Sequence, residues 1–411
     1  MEEIVRLTSA DYEQAVDFLD LVFSQAKKPH HFEKMLPRLA MPDAMTHHFA
    51  LKRDGRIRAM LGVYPLETTI DGERFLFSTT GNVATHWRET GKGYMSALLE
   101  RAMTELHEIG ADASRLGGHR QRYNRYGFEM AGTSISINLT AHNVQGAAFA
   151  PLDFRPVARE DTETLALIRA LHMRSAMAVD RGNDDSLYRV LTAWEAQPFA
   201  AFDEENRFAG YLAAAQGGGS LAELKAETPE LAERMLLSWL KAHPENGLSL
   251  TLPPWETETI ARLSRHCQSL SLNPASQFKI ISWARLINAL GRVKSRMRAL
   301  TDGECVVDIP DEARFILRVK GGALSCEETA LPADLTLDHL TATRLLFGPL
   351  PPEAVLPDLS GKSGAMLSSL LPQHSGTRKD PAESNLCSAG SGCIAMIPTI
   401  SNVQTRSAPK R

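Results

Sequence analysis

RETGKGYMSALLE, residues 88–100, decides how the rest of the chain is read. Gly91 and Gly93 stand one residue apart, and a run of helix formers follows at once. Glycine turns the backbone through positive φ and leaves no side chain in a ligand's path. The first turn of the next helix has unpaired N–H groups and the positive end of the dipole. Together they bind an anion, typically a phosphate, and Lys92 adds a nearby cation. Taken alone, a Gly-x-Gly is more often a plain strand-to-helix turn. The flanks fit either use. Phe75–Thr85 reads as a strand, and Met95, Leu98, Leu99, Ala102 and Leu106 mark one apolar helix face.

Three nucleotide motifs can be compared with the loop. A dinucleotide fold wants G-x-G-x-x-G, but Ser96 holds the third glycine's place. Gly361-Lys362-Ser363 supplies the end of a P-loop, and Leu356 occupies its first glycine position, so that motif fails. The third candidate is the pyrophosphate of coenzyme A.

The chain has 411 residues, which suggests two or three domains. Its net charge is −4 with no long basic run, which argues against nucleic acid as the main partner. MEEIVRLTSADYEQ has no basic start followed by an apolar stretch, and no segment is apolar enough for a membrane span. The five cysteines are scattered without a CxxC pair. Reduced thiols in the cytoplasm are expected. His30-His31 and His47-His48 are adjacent pairs and not the i, i+4 spacing of a helical metal site, so no metal is expected.

The first segment reads as a helix from Tyr12 to Phe23, then a hairpin turned at Asp54-Gly55. After the glycine loop and its helix come a strand from Ala113 to Gly118 and a short helix, Arg122–Tyr126, ended by Gly127. About 150 residues later the scaffold recurs weakly: PFAAFDEENRFAGYLAAA echoes HHFALKRDGRIRAMLGVY, and ELAERMLLSWLKAH stands where the loop-born helix stood. No Gly-x-Gly precedes that second helix, and Gln216–Ser220 reads as a flexible turn. Trp194, Trp239, Trp255 and Trp283 read as aromatics of this middle domain. Beyond Leu290 the pattern changes to a helix, a hairpin (CVVDI, ARFILRVKGGALSC) and a helix in DLTLDHLTATRLLFG capped by Asp or Thr. From about Gln373 the chain is rich in Ser, Gly and Pro and reads as disordered.

TTGNVATHWRETGKGYMSALLERAM, followed by LGGHRQRYNRYGFEMAG, resembles the GNAT superfamily of acetyltransferases. The loop is similar to their acetyl-CoA loop, [QR]-x-x-G-x-[GA], and RYNRYGFE to their [FY]-Y-x-[RK]-x-G-F segment. Thr90 holds the usual Arg/Gln place in one register, while Arg88-x-x-Gly91-x-Gly93 satisfies the pattern in a shifted one. The whole layout resembles the Eis (enhanced intracellular survival) acetyltransferases. That resemblance implies an α/β (α+β) fold of tandem GNAT-like mixed-sheet domains. Residues 1–148 would be the active domain, 149–288 a degenerate copy and 289–372 a sterol-carrier-protein-like α+β domain, with residues 373–411 a tail.

The resemblance implies that amides near Val83, Ala84 and Thr85 pair with the pantetheine arm of acetyl-CoA. Amides of Thr90, Gly91, Lys92, Gly93, Tyr94 and Met95 would hold the pyrophosphate. Gly118, His119 and Asn124 would lie at the thioester end. Tyr123 would be the general acid, since a phenol of pKa about 10 can protonate a departing thiolate, and Tyr126 would be a packed aromatic. Eis-type proteins use the chain's own terminal carboxylate as a base, usually soon after a Leu-Leu-Pro segment. Here Leu370-Leu371-Pro372 is followed by a polar tail, as a change of reading frame near Pro372 would give. Without that base, water or His119 would serve, His119 sharing a strand face with Tyr123. The expected function is acetyl transfer to a primary amine, such as a polyamine, an aminoglycoside or a lysine side chain, by a homo-oligomer, hexameric by family resemblance. The rival is a non-catalytic acetyl-CoA- or lipid-binding protein.

Overall fold

Asp54 and Gly55 both adopt positive φ, 52° and 75°, as a two-residue hairpin turn requires. The computed structural model describes residues 2–25, 29–359 and 361–370. The predicted disorder after Gln373 and the reading-frame idea lie outside the described residues.

The chain opens with β1 (Glu2–Arg6), α1 (Tyr12–Ser24), α2 (Phe32–Met35), β2 (His48–Arg53), β3 (Arg56–Ile70) and β4 (Glu73–Thr85). Then come α3 (Tyr94–Glu108), β5 (Ala113–Leu116), α4 (Arg120–Tyr123) and β6 (Glu129–Leu139). The second segment runs β7 (Asp153–Pro156), α5 (Thr162–Met173), β8 (Met177–Val179), α6 (Asp184–Leu191), β9 (Gln197–Phe202) and β10 (Phe208–Ala214). It continues with β11 (Ser220–Ala226), α7 (Pro229–Ala242), β12 (Leu248–Leu252), α8 (Thr257–Leu263) and β13 (Ser269–Ile280). The third holds α9 (Trp283–Met297), β14 (Gly303–Ile309), β15 (Ala313–Lys320), β16 (Ala323–Glu328), β17 (Leu335–Thr336), α10 (His339–Phe347), α11 (Pro352–Val355) and α12 (Gly361–Leu370). Helix α9 begins at Trp283, so a boundary at residue 289 falls inside it. Trp283 packs on Phe315 and Phe347 of the third segment, although the sequence reading gives it to the middle domain.

Among the described residues thirteen strands join in one mixed sheet, ordered β1-β2-β3-β4-β5-β13-β6-β12-β11-β10-β9-β7, with β8 against β3. A second sheet runs β16-β15-β14-β17. The first two segments are interleaved. Strand β13 of the second pairs with β5 of the first, Gln277↔Leu116 to Ile280↔Ala113. Strand β6 of the first pairs with β12 of the second.

Strand alternation divides the layers. Ala59, Leu61 and Val63 point to α3, whose Leu98, Leu99, Ala102 and Leu106 are buried among them. Each such leucine contributes about 1.5–3 kcal/mol of apolar burial. Met60 points the other way, to α1. On that opposite face, Phe75, Phe77, Ala113 and Phe278 meet α9 and the third segment. Arg285 of α9 fixes this layer by donating to both carboxylate oxygens of Asp112 at 2.8 Å. Asp112 accepts in turn from the Leu76 amide.

Candidate active site

Strands β4 and β5 pair in parallel for only four residues, Phe77↔Ala113 to Thr80↔Leu116. Beyond that point β5 ends, while β4 continues to Thr85 against β3 alone. The β4 edge from Gly81 to Thr85 therefore faces an open fork. Val83, Ala84 and Thr85 lie on it.

At the fork β4 carries a bulge. Its register against β3 shifts between Met60↔Ala84 and Gly62↔Gly81, and Asn82 adopts a φ of 51°. A buried chain of hydrogen bonds supports it. Asn82 Nδ2 donates to Tyr64 Oη at 2.6 Å, and Tyr64 Oη lies 2.6 Å from His48 Nε2. His48 Nδ1 lies 3.2 Å from the Ala44 carbonyl. One tautomer satisfies every link: Nδ1–H donates to Ala44, and Nε2 accepts from Tyr64. Burial holds the His48 imidazole neutral, pulling its pKa down to about 4. The Tyr64 ring lies back over Gly62, where a Cβ would come within 2.4 Å of it.

The glycine loop leaves β4 through a short turn, Trp87–Glu89. Gly91 and Gly93 hold φ of 86° and 81°, with nothing within 4 Å of where a Cβ would stand. Gly93 is the N-cap of α3 and offers no side-chain cap. The first helical bond available runs from the Ala97 amide to the Gly93 carbonyl, so Tyr94, Met95 and Ser96 have no intrahelical acceptor. The corresponding helix of the second segment, α7, differs. Thr228 caps it, accepting from the Leu231 amide, and Pro229 follows at its first turn. There the Leu231 amide is capped and Pro229 has no N–H to satisfy; at α3 no side chain caps the first amides.

Lys92, the nearby cation expected from the sequence, is paired. The buried Glu89 takes its ammonium at 2.7 Å and the Arg53 guanidinium at 2.5 and 3.0 Å. The cation that reaches the α3 start is Arg125, donating to Ser96 Oγ at 2.7 Å and to Tyr126 Oη at 2.8 Å. Tyr126 is half-buried and packs on the α3 core.

Tyr123 is buried in that same core, 6% exposed. Its ring closes over Gly118, where a Cβ would sit 3.1 Å from Cε2 and 3.8 Å from Oη. Gly118 has a φ of 126° and accepts at its carbonyl from Gln277 Nε2 of β13 at 2.7 Å. Burial raises the Tyr123 phenol above its ordinary value, with Arg122 opposing. His119 is exposed and forms the N-cap of α4. It does not share a strand face with Tyr123, because β5 stops at Leu116 and the chain has turned into a helix. Asn124 ends that helix, its carbonyl accepting from the Gly127 amide.

Residues 3–131 match the family described as acetyltransferase (GNAT) domain. The first segment is thus similar to a GNAT acetyltransferase domain, a fold that supports acyl transfer in general. No curated protein matches the chain. Solved structures show the fold over nearly its whole length. A probable N-acyltransferase of Enterococcus faecalis is 14% identical with a TM-score of 0.65, covering 90% of this chain and 96% of its own. A GCN5-related N-acetyltransferase from Anabaena variabilis gives the same figures. Eis1 from Mycobacterium abscessus is 15% identical with a TM-score of 0.60, again covering 90% and 96%.

Sequence reasoning missed Asn82, Tyr64, His48, Arg125 and Gln277. Gly81-Asn82 inside a strand pattern is a bulge signal that could have pointed to the first. Gln277 comes from the interleaved strand and had no local signal. Among the described residues no group of three or more His, Cys, Asp or Glu could hold a metal ion.

Proposed function

We propose that the protein is an acetyl-CoA-dependent N-acetyltransferase acting on a primary amine by direct attack. The observation that carries this reading is the contrast between α3, with a left-handed glycine cap and first amides that no side chain caps, and the side-chain-capped α7. Of the amides from Thr90 to Met95, those of Thr90 and Lys92 donate to the Trp87 and Glu89 carbonyls, so Gly91, Gly93, Tyr94 and Met95 would hold the pyrophosphate, and the open edge at Val83, Ala84 and Thr85 would pair with the pantetheine arm. Holding amine and thioester together can offset roughly 7–11 kcal/mol of the barrier. Tyr123 Oη would give a proton to the departing sulfur. Burial keeps that phenol protonated, and its hydroxyl has no hydrogen bond to a described residue. Water or His119 takes the amine's proton. We read the four-stranded third segment as sterol-carrier-protein-like and the assembly as a cytoplasmic homo-oligomer.

The test is thiol release from acetyl-CoA with a panel of primary amines. Release that vanishes in Tyr123→Phe supports the reading. Coenzyme A binding without release for any amine overturns it in favour of a non-catalytic binder.

A further inference from the structure

Arg115 is the buried charge that the fork does not explain. It is 7% exposed, yet it makes no hydrogen bond or ion pair with any described residue. Burial alone brings its pKa down to about 10, and no carboxylate offsets the loss of hydration. A buried guanidinium without a partner is costly, and proteins rarely keep one for stability.

Register shows where it points. Arg115 is the partner of Thr79 on one side and of Phe278 on the other. Two residues earlier, Ala113 pairs with Phe77, and both belong to the core on the face opposite α3. Alternation therefore puts Arg115 and Thr79 on that opposite face. Thr79 Oγ1 is likewise buried and without a partner. Tyr64 completes the row, paired with Thr79, but its hydroxyl is engaged by Asn82 and His48. Toward the fork the next position is Gly117, where a Cβ would meet nothing within 4 Å. Arg115 thus stands one residue short of the point where β4 and β5 part, with open space between.

An orphaned guanidinium beside an orphaned hydroxyl fits an oxyanion: the fork of five N–H donors takes a carboxylate in two parallel bonds, and the hydroxyl adds a third. We propose that Arg115, with Thr79, recognises an acidic group on the acceptor, so that the amine acetylated here also carries a carboxylate. This rests on the acetyltransferase reading for what lies at the fork, though not for the binding itself. It narrows the substrate class from amines in general to amino acids and related amino-carboxylates, and excludes polyamines.

The experiment is calorimetric titration of the full chain, with and without saturating coenzyme A. The probes are three matched pairs differing by a carboxylate: lysine and cadaverine, 4-aminobutyrate and propylamine, phenylalanine and phenethylamine. At least one acidic member is expected to bind ten-fold or more tighter than its decarboxylated partner. Arg115→Met should bring that ratio near one, while Arg115→Lys keeps part of it. Because Met removes an unpaired buried charge, its Tm should equal or exceed the parent's, which separates lost recognition from lost folding. Equal binding within every pair, no binding of any acidic member, or a preference that survives Arg115→Met overturns the proposal. Acidic amines that bind through Arg115 without thiol release would sink the acetyltransferase reading and leave this one standing.

Discussion

Gly93 and Thr228 occupy corresponding places before two similar helices, and a single side chain separates their chemistry. Thr228 turns its hydroxyl onto the helix it precedes. Gly93, at a φ of 81°, has nothing to turn. A Cβ at Gly93 meets open space, so Gly93→Val should cost about 1–2 kcal/mol of left-handed strain and no clash. Coenzyme A affinity should fall ten-fold or more, since the new side chain would stand where a phosphate approaches. Titration alongside a melt checks both; unchanged affinity would refute the anion pocket. At Tyr123, Phe should lower kcat by roughly 10²–10⁴-fold with a modest change in KM. The phenol's pKa is raised, so a rate fall assigned to its ionisation should come above pH 10. A pH–rate profile that drops well below that would point to another acid. The glycine's positive φ was legible in the sequence because its chemistry is local, whereas the role of Tyr123 is what the family resemblance implies. Lys92 was misjudged because its partner, Glu89, is buried by the fold.

Strand β4 illustrates what an element adds. Its strand character from Phe75 to Thr85 was readable. The bulge at Asn82 depends on Tyr64 from β3 and His48 from the start of β2, contacts that only strand register creates. The chain of bonds carries a pH signature. Unfolded, His48 titrates near 6.5; folded, near 4. The unfolded state therefore binds the extra proton first as pH falls, and stability is lost between those values. The effect should reach roughly 2 kcal/mol by pH 5. Urea unfolding at pH 8 and pH 5 measures it, and His48→Gln should flatten the difference by about that amount. A variant that keeps the parent's full acid sensitivity would rule out His48 as the source. Tyr64→Phe leaves Asn82 Nδ2 and His48 Nε2 only their own longer contact at 3.4 Å, at a cost of about 1 kcal/mol. It should also raise KM for acetyl-CoA, because the bulge sets the course of the open edge.

Across the whole molecule the segments that looked sequential are woven together. The repeat spaced by about 150 residues showed two similar scaffolds, and helix and hairpin placements followed from it. It could not show that each scaffold lends its last strand to the other, since β6 and β13 have ordinary strand patterns and pairing partners leave no local trace. The consequence is mechanical. Strand β13 supplies Gln277 to the Gly118 carbonyl beside Tyr123, and β6 joins β12 in the far half of the sheet. Residues 1–148 made alone would lack β13, exposing the edge of β5 and the apolar face that Phe278 and Ile280 cover. That fragment should be insoluble or molten. A protease site inserted at Gly146 gives the sharper test. Gly146 lies in the connection before β7, with nothing within 4 Å of a Cβ. Cleavage there severs one peptide bond while both exchanged strands stay paired. The nicked protein should elute unchanged in gel filtration, run as two chains only under denaturing conditions, and keep any thiol-releasing activity. Fragments that part without denaturant would mean that β6 and β13 are not exchanged, and Gln277 would then lose its place at the site.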